Sequence, residues 1–410
     1  QVETTRPASV LCNITLHAQG GAMKAIVIGA GIVGTACAEA LTRAGLEVVV
    51  LDRLPVGSGT TSRGEGNILV SDKGPGAELT LAQLSRRLWL EVGDLVGRES
   101  IELEEKGGIV VATSEAGLRS LDDFATAQRA AGVATEHLDD PCEREPHLAP
   151  GLPGAVHYPE DLQVQPVLAA ARFLEVALGR GATFRSGVEV AATVTSAAGA
   201  VSGIRTTAGE VIGADVVINA TGTWGGVVSE RLGAPVPVLP RRGFVLVTEP
   251  LPPLVRHKVY SADYVDNVGS SEAGLETSCV VEGTTGGPIL IGASRERVGF
   301  DGTLDVDVIR ALARQAVALF PFLAGVQLLR TYRGFRPYCP DHLPVIGPDP
   351  RVPGVLHACG HEGAGIGLAP ATAQLITDYV TGARRASDDD AFRALLPDRF
   401  ITTPDLEVAP

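Results

Sequence analysis

The chain has 410 residues, of which 45% are apolar and 20% charged, with a formal net charge of −14. It is long enough to bury a large core spread over two or three domains, and so acidic a balance suits neither a phosphate backbone nor an anionic membrane as partner. Six cysteines, none in a C-x-x-C pair, argue against a zinc or iron–sulfur cluster of the chain's own and suit a reducing cytoplasm.

Residues 1–22 show no periodicity and no basic region followed by an apolar one, so they are read as an extension outside the fold and not as a secretory signal. The first organised stretch is "KAIVIGAGIVGTACAEALTRAGLEVVVLD" from Lys24. "AIVIGA" has the continuous apolar character of a buried parallel strand, and Gly29, Gly31 and Gly34 keep the G-x-G-x-x-G spacing. Apolar residues from Val33 recur at helical spacing up to Gly45, and "LEVVVLD" reads as the second strand. The unit is a βαβ dinucleotide site: backbone near Gly31 and Ile32 meets a pyrophosphate at the helix N-terminus, and Asp52, 23 positions after Gly29, is placed to accept from ribose hydroxyls. Arg53 hints at a 2′-phosphate, but Asp52 would repel one, which sets NADP aside.

A loop rich in Gly, Ser and Thr follows, "RLPVGSGTTSRGEGNILVSDKGPG". It is read either as a surface loop or as a segment running beside a long cofactor. The patterns then predict helices over 78–97 and 115–132 with a strand between them, a helix over 164–180 with Pro166 in its first turn, and a β-meander ending in an apolar strand that leads to Ala220, Thr221 and Gly222. Residues 240–300 read as strands, 304–320 as an amphipathic helix, and "GVQLLRTYRGFRP" as a strand again. Near the end, Val355–Ala358 reads as a strand entering a glycine-dense turn (Gly360, Gly363, Gly365, Gly367), then a helix with Pro370 in its first turn and Gly382 past its end. This second bare helix N-terminus lies far from the first in sequence. One cofactor long enough to touch both is FAD, with its ADP half on the first unit and the late helix facing the flavin.

"VIGAGIVGTACAEALTRAGLEVVVLD", "ADVVINATGTW" and "YRGFRPYCPDHLPVIG…GVLHACGHEGAGIGLAPATAQLI" resemble the FAD-dependent D-amino-acid oxidase superfamily, which includes glycine oxidase, sarcosine oxidase and D-amino-acid dehydrogenase. The similarity runs from about 24 to 383. Within it, "SRGEGNILVSDKGPGAELTLAQLS" and "VVEGTTGGPILIGASRERVGFD" look most like the FAD subunits of D-hydroxyproline dehydrogenase, opine oxidase and hydrogen cyanide synthase. Such subunits work beside an iron–sulfur or second flavin subunit, so a hetero-oligomer is implied.

The resemblance implies an α/β fold: a Rossmann-like FAD-binding domain, discontinuous over 23–95, 151–239 and 331–385, and an α+β substrate domain on a larger mixed sheet over 96–150 and 240–330, with 386–410 as a tail. It implies oxidation of the C–N bond of an amino or imino acid by hydride transfer to flavin, with a glycine- or sarcosine-type oxidase releasing peroxide, or a non-catalytic flavin subunit, as the alternatives. Arg336, in the family's G-x-R-P strand, would clamp the substrate carboxylate. Thr61, Ser62, Arg63, Gly66, Asn67, Trp224, Gly334, Gly360, Gly363, Gly365 and Ile366 match positions lining the cofactor. Arg242, Gly243 and Glu296 match flavin-lining segments, with their side-chain roles open. His361 is read either as a structural histidine or as a participant in the chemistry. The cysteine that tethers flavin in monomeric sarcosine oxidases aligns with Gly334, which implies non-covalent FAD. Tyr264 and Tyr260 are the candidate active-site tyrosines, with Tyr332 and Tyr338 as core residues; Cys339 and Cys359 are read as packing residues.

Overall fold

The computed structural model describes residues 22–263, 270–386 and 390–401. In chain order its main elements are β1 (Lys24–Ile28), α1 (Ile32–Arg43), β2 (Glu47–Asp52), β3 (Asn67–Ile68), α2 (Ala77–Val96), β4 (Gly108–Ala112), α3 (Glu115–Ala130), β5 (Glu136–Leu138), β6 (Gly154–Tyr158), β7 (Leu162–Gln163) and α4 (Pro166–Gly179). They continue with β8 (Thr183–Ser186), β9 (Val190–Thr195), β10 (Val201–Thr206), β11 (Val211–Gly213), β12 (Val216–Asn219), α5 (Gly225–Arg231), β13 (Leu239–Thr248), β14 (Lys258–Ser261), β15 (Glu276–Gly283), β16 (Ile289–Arg295), α6 (Val306–Leu319), β17 (Leu328–Tyr338), β18 (Val345–Pro348), β19 (Val355–Cys359) and α7 (Gly365–Thr381).

Six strands form a sheet in the order β18-β19-β12-β1-β2-β8. All neighbours are parallel except β18 with β19. A parallel sheet needs cover on both faces, which is why its central strands are continuous apolar runs and not alternating ones. One face carries α1, flanked by α4 and α7. The other is covered by the antiparallel β9-β10-β11 meander, through Val190, Val201, Ile204 and Ile212 against Ile26, Ile28, Val49 and Leu51. The expected βαβ unit is thus present as β1–α1–β2.

The second sheet has eight strands in the order β17-β13-β16-β15-β14-β4-β6-β5 and is mixed, because β14 runs parallel to β4 while the remaining pairs are antiparallel. Its own core includes Val308, Leu312, Ala316 and Leu319 of α6, the apolar face predicted for that helix. Sheet membership departs from expectation at two segments. β6 pairs with β4 and β5, and β17 pairs with β13, although the resemblance groups 151–239 and 331–385 with the nucleotide unit. A strand's partner is set by long-range hydrogen bonds that its own pattern does not encode.

Pro370 also differs. α7 begins at Gly365, so Pro370 lies inside the helix, beyond its first turn. A proline there cannot donate to the carbonyl four residues back, that of Ile366. The buried indole of Trp89 on α2 supplies the donor, its Nε1 reaching the carbonyls of Ile366 (3.2 Å) and Gly367 (3.0 Å), while Ser85 Oγ accepts from the Ala371 N–H at 3.2 Å. Among the described residues no helix is long and apolar enough to cross a membrane.

Candidate active site

A cleft of about 1590 Å³, open to solvent at its mouth, runs from the N-terminus of α1 to that of α7. At the α1 end Gly29 has φ +108°, and a Cβ there would collide with the Ala220 carbonyl oxygen; the glycine is required both for the turn and for the close approach. Asp52 fastens this turn from the tip of β2, its Oδ2 accepting from the Ala30 N–H at 2.7 Å and its Oδ1 from the Leu54 N–H at 2.8 Å. Each carboxylate oxygen keeps a lone pair for a further donor. Thr61 Oγ1 accepts from the Ile32 N–H at 3.0 Å, so one of the helix-terminal donors expected to face a phosphate is already capped.

The wall beyond is built by Ala220, Thr221, Gly222 and Trp224. Arg53 places its guanidinium 4.2 Å from the Trp224 ring, and Trp224 stacks on Phe300 with 5.7 Å between centroids and planes 8° apart. A cation held on an indole face at the rim favours anionic and aromatic groups.

At the far end two neighbouring strands of the eight-stranded sheet lack side chains at facing positions. Gly243 on β13 pairs with Gly334 on β17. A Cβ on Gly334 would collide with Arg63, and one on Gly243 with the Arg336 guanidinium. Arg336 lies in the space so cleared, its Nη1 donating to the Ser294 carbonyl at 2.7 Å. The Gly, Ser and Thr-rich loop is clasped to β17 by Thr60 Oγ1 donating to the Phe335 carbonyl (2.9 Å) and Tyr332 Oη donating to that of Gly64 (3.1 Å). The loop therefore runs beside the cleft and is not a free surface loop.

Most of the expected site residues meet here: Gly29, Gly31, Ile32, Asp52, Arg53, Thr61, Arg63 and Asn67 from the N-terminal part, Gly334, Arg336, His361, Gly363, Gly365 and Ile366 from the C-terminal part. Four do not line the cleft. Ser62 turns its hydroxyl to the Gly59 carbonyl (3.2 Å); Gly66 is buried against Val164 and donates its N–H to Glu282 (3.1 Å). Gly34 packs helix on strand at Gly29, and Gly360 sits behind the wall near Val238 and Val345. Tyr264 lies outside the described residues. Tyr260 is fully buried, its hydroxyl donating to Ser71 Oγ, and burial holds its pKa well above the ordinary phenol value.

His361 lines the cleft, with Nε2 bonded to Thr372 Oγ1 at 3.0 Å, and burial pushes its pKa down to about 3. The ring is neutral at ordinary pH and is tied to α7 through Thr372. Arg242 is also structural, paired with Glu296 and Asp301 at 2.8 Å each. Cys339 and Cys359 are buried in a small apolar cluster away from the cleft, and burial pushes the Cys359 thiol up to about 12.

The lining residues that the sequence reading did not single out include Glu65, Val245 and Glu362. A glutamate between two glycines reads as a solvated loop charge, yet Glu65 is 7% exposed; its burial arises from β16, more than two hundred positions away. Glu362, 2.9 Å from His342 Nδ1, takes a positive φ of 45°.

The cleft fits FAD. It joins two helix N-termini, its glycine cradle at Gly29 has no room for a Cβ, and the buried Asn67 Oδ1, which has no hydrogen-bond partner, leaves an acceptor on its wall. Comparison with known families matches residues 24–379 to the family described as FAD dependent oxidoreductase (DAO). The HcnC subunit of hydrogen cyanide synthase from Pseudomonas aeruginosa is 28% identical over 397 residues, covering 87% of this chain and 91% of that protein. D-amino acid dehydrogenase from Methylobacterium nodulans is 27% identical over 417 residues, covering 88% and 96%. The crystal structure of glycine oxidase from Geobacillus kaustophilus superposes with a TM-score of 0.80 at 27% identity, over 90% of this chain and 98% of that one.

Proposed function

The chain belongs to the FAD dependent oxidoreductase family, and we propose that it oxidises the C–N bond of an amino or imino acid to an imine. Bound FAD supplies the hydride acceptor. The observation that carries the reading is Arg336: a guanidinium at the flavin end of the cleft, fixed through one N–H on the Ser294 carbonyl and set on a glycine floor, with its other donors left to meet a carboxylate.

In this reading the glycine turn at Gly29 and Gly31 receives the pyrophosphate, Asp52 the ribose, and the amides opening α7 favour negative charge at the opposite end. Arg336 orients the substrate so that its α-carbon faces the flavin, and positioning supplies most of the rate. The similarity to a synthase subunit favours a second element: the chain works beside another redox subunit that takes its electrons. The five described cysteines are all free thiols, which supports a reducing compartment such as the cytoplasm.

The purified flavoprotein should be bleached anaerobically by a member of a panel of glycine, sarcosine, D- and L-amino acids, prolines and opines. Arg336→Ala should raise KM for that substrate by about 100-fold, the order expected on losing a charged hydrogen-bond partner, while flavin stays bound. Slow reoxidation in air would support a partner subunit; rapid oxygen uptake would support a peroxide-forming oxidase. An assembled complex whose turnover survives Arg336→Ala would overturn the catalytic role of this chain.

A further inference from the structure

Glu65 is a buried charged side chain at the flavin end that the mechanism above does not use. Its Oε1 has no hydrogen-bond partner, and it stands where a Cβ on Gly292 of β16 would otherwise be. A buried acceptor without a donor is costly unless a ligand supplies one. The next carboxylate along is not in that state: Glu282 accepts from the Gly66 N–H and forms an ion pair with Lys258 at 2.7 Å. Glu65 forms no ion pair among the described residues.

Arg336 leans on the same strand two residues further on, at the Ser294 carbonyl, and no ion pair joins it to Glu65. Both side chains line the cleft, so an α-amino acid bound there can meet a carboxylate at its nitrogen end and a guanidinium at its carboxylate end.

Resting on the reading of this chain as an amino-acid oxidoreductase, we propose that Glu65 is a specificity-determining residue that receives the cationic nitrogen of the substrate while Arg336 holds its carboxylate. The substrate class is then a monocarboxylic amino acid or cyclic imino acid. Secondary amines carrying a second carboxylate on the nitrogen side, the opine and iminodiacetate type, meet like charge at Glu65 and are turned away.

The test uses the flavin's visible band as a binding signal, with glycine, the two prolines, cyclopentanecarboxylate and iminodiacetate as probes on wild type, Glu65→Gln and Glu65→Asp. Glu65→Gln should retain flavin, lose at least tenfold in affinity for glycine or proline, leave cyclopentanecarboxylate unchanged, and bind iminodiacetate more tightly than wild type does. Glu65→Asp should restore part of the preference for the amine. An equal loss for proline and cyclopentanecarboxylate, an unchanged affinity for every probe, or loss of flavin from Glu65→Gln would each overturn the assignment. A wild type whose flavin responds to no amino acid would overturn the parent reading instead; one that responds, with Glu65→Gln responding identically, would overturn Glu65 alone.

Discussion

The two glycine turns that meet at the cleft are secured in opposite ways. At α1 the fastenings are near in sequence: Asp52 ends the very next strand, and Thr61 follows within ten residues. At α7 they are remote: Trp89 and Ser85 reach across from α2, nearly three hundred positions earlier, to restore what Pro370 takes from the helix. A turn stitched by its own neighbourhood is a motif, whereas a turn stitched by another helix is a property of the whole fold. Substitutions at each end should separate the two.

The largest effect should come from Gly29→Ala, which forces a side chain onto a φ of +108° and into the Ala220 carbonyl. A loss of about 2–5 kcal/mol and of flavin retention is expected, read by thermal melting and by the absorbance of the purified protein. Next is the pH response of the α7 turn. His361 has a folded pKa pushed down to about 3, so the unfolded chain binds the extra proton. The stability it contributes is present above its ordinary value of 6.5 and is lost as pH falls towards about 3, with a slope of up to about 1.4 kcal/mol per pH unit. Denaturant titrations at several pH values should show that slope reduced in His361→Asn.

Trp89→Phe should cost about 1–3 kcal/mol, because the Ile366 and Gly367 carbonyls lose their buried donor. Flavin should remain bound, since Trp89 does not line the cleft; a variant that melts like wild type would show that α7 does not need the bridge. The smallest change is expected from Thr61→Val, about 1 kcal/mol for the lost cap on Ile32, with a several-fold weaker hold on flavin measured by dilution.

The same division explains how much could be read beforehand. The β1–α1–β2 unit, Asp52, α4 with Pro166 opening it, and the amphipathic α6 were legible because spacing and local turn chemistry determine them. The resemblance added Arg336, which no local pattern distinguishes from a surface arginine. The sheet in which β6 and β17 sit was not legible, and neither was the position of Pro370 within its helix, since both depend on partners far along the chain. Nor was Glu65, whose charge within a glycine run gives no sign of burial. The Tyr264 expectation falls outside the described residues.

The strand order β18-β19-β12-β1 has a consequence for synthesis. β12 waits for β19, its parallel neighbour, which leaves the ribosome only after well over a hundred further residues, a delay on the order of ten seconds or more at usual elongation rates. During that interval the nascent polypeptide exposes an open apolar edge, the kind that invites aggregation and chaperone capture. The cleft is lined by residues of both glycine turns, so it is completed only once the segment through α7 has been synthesised.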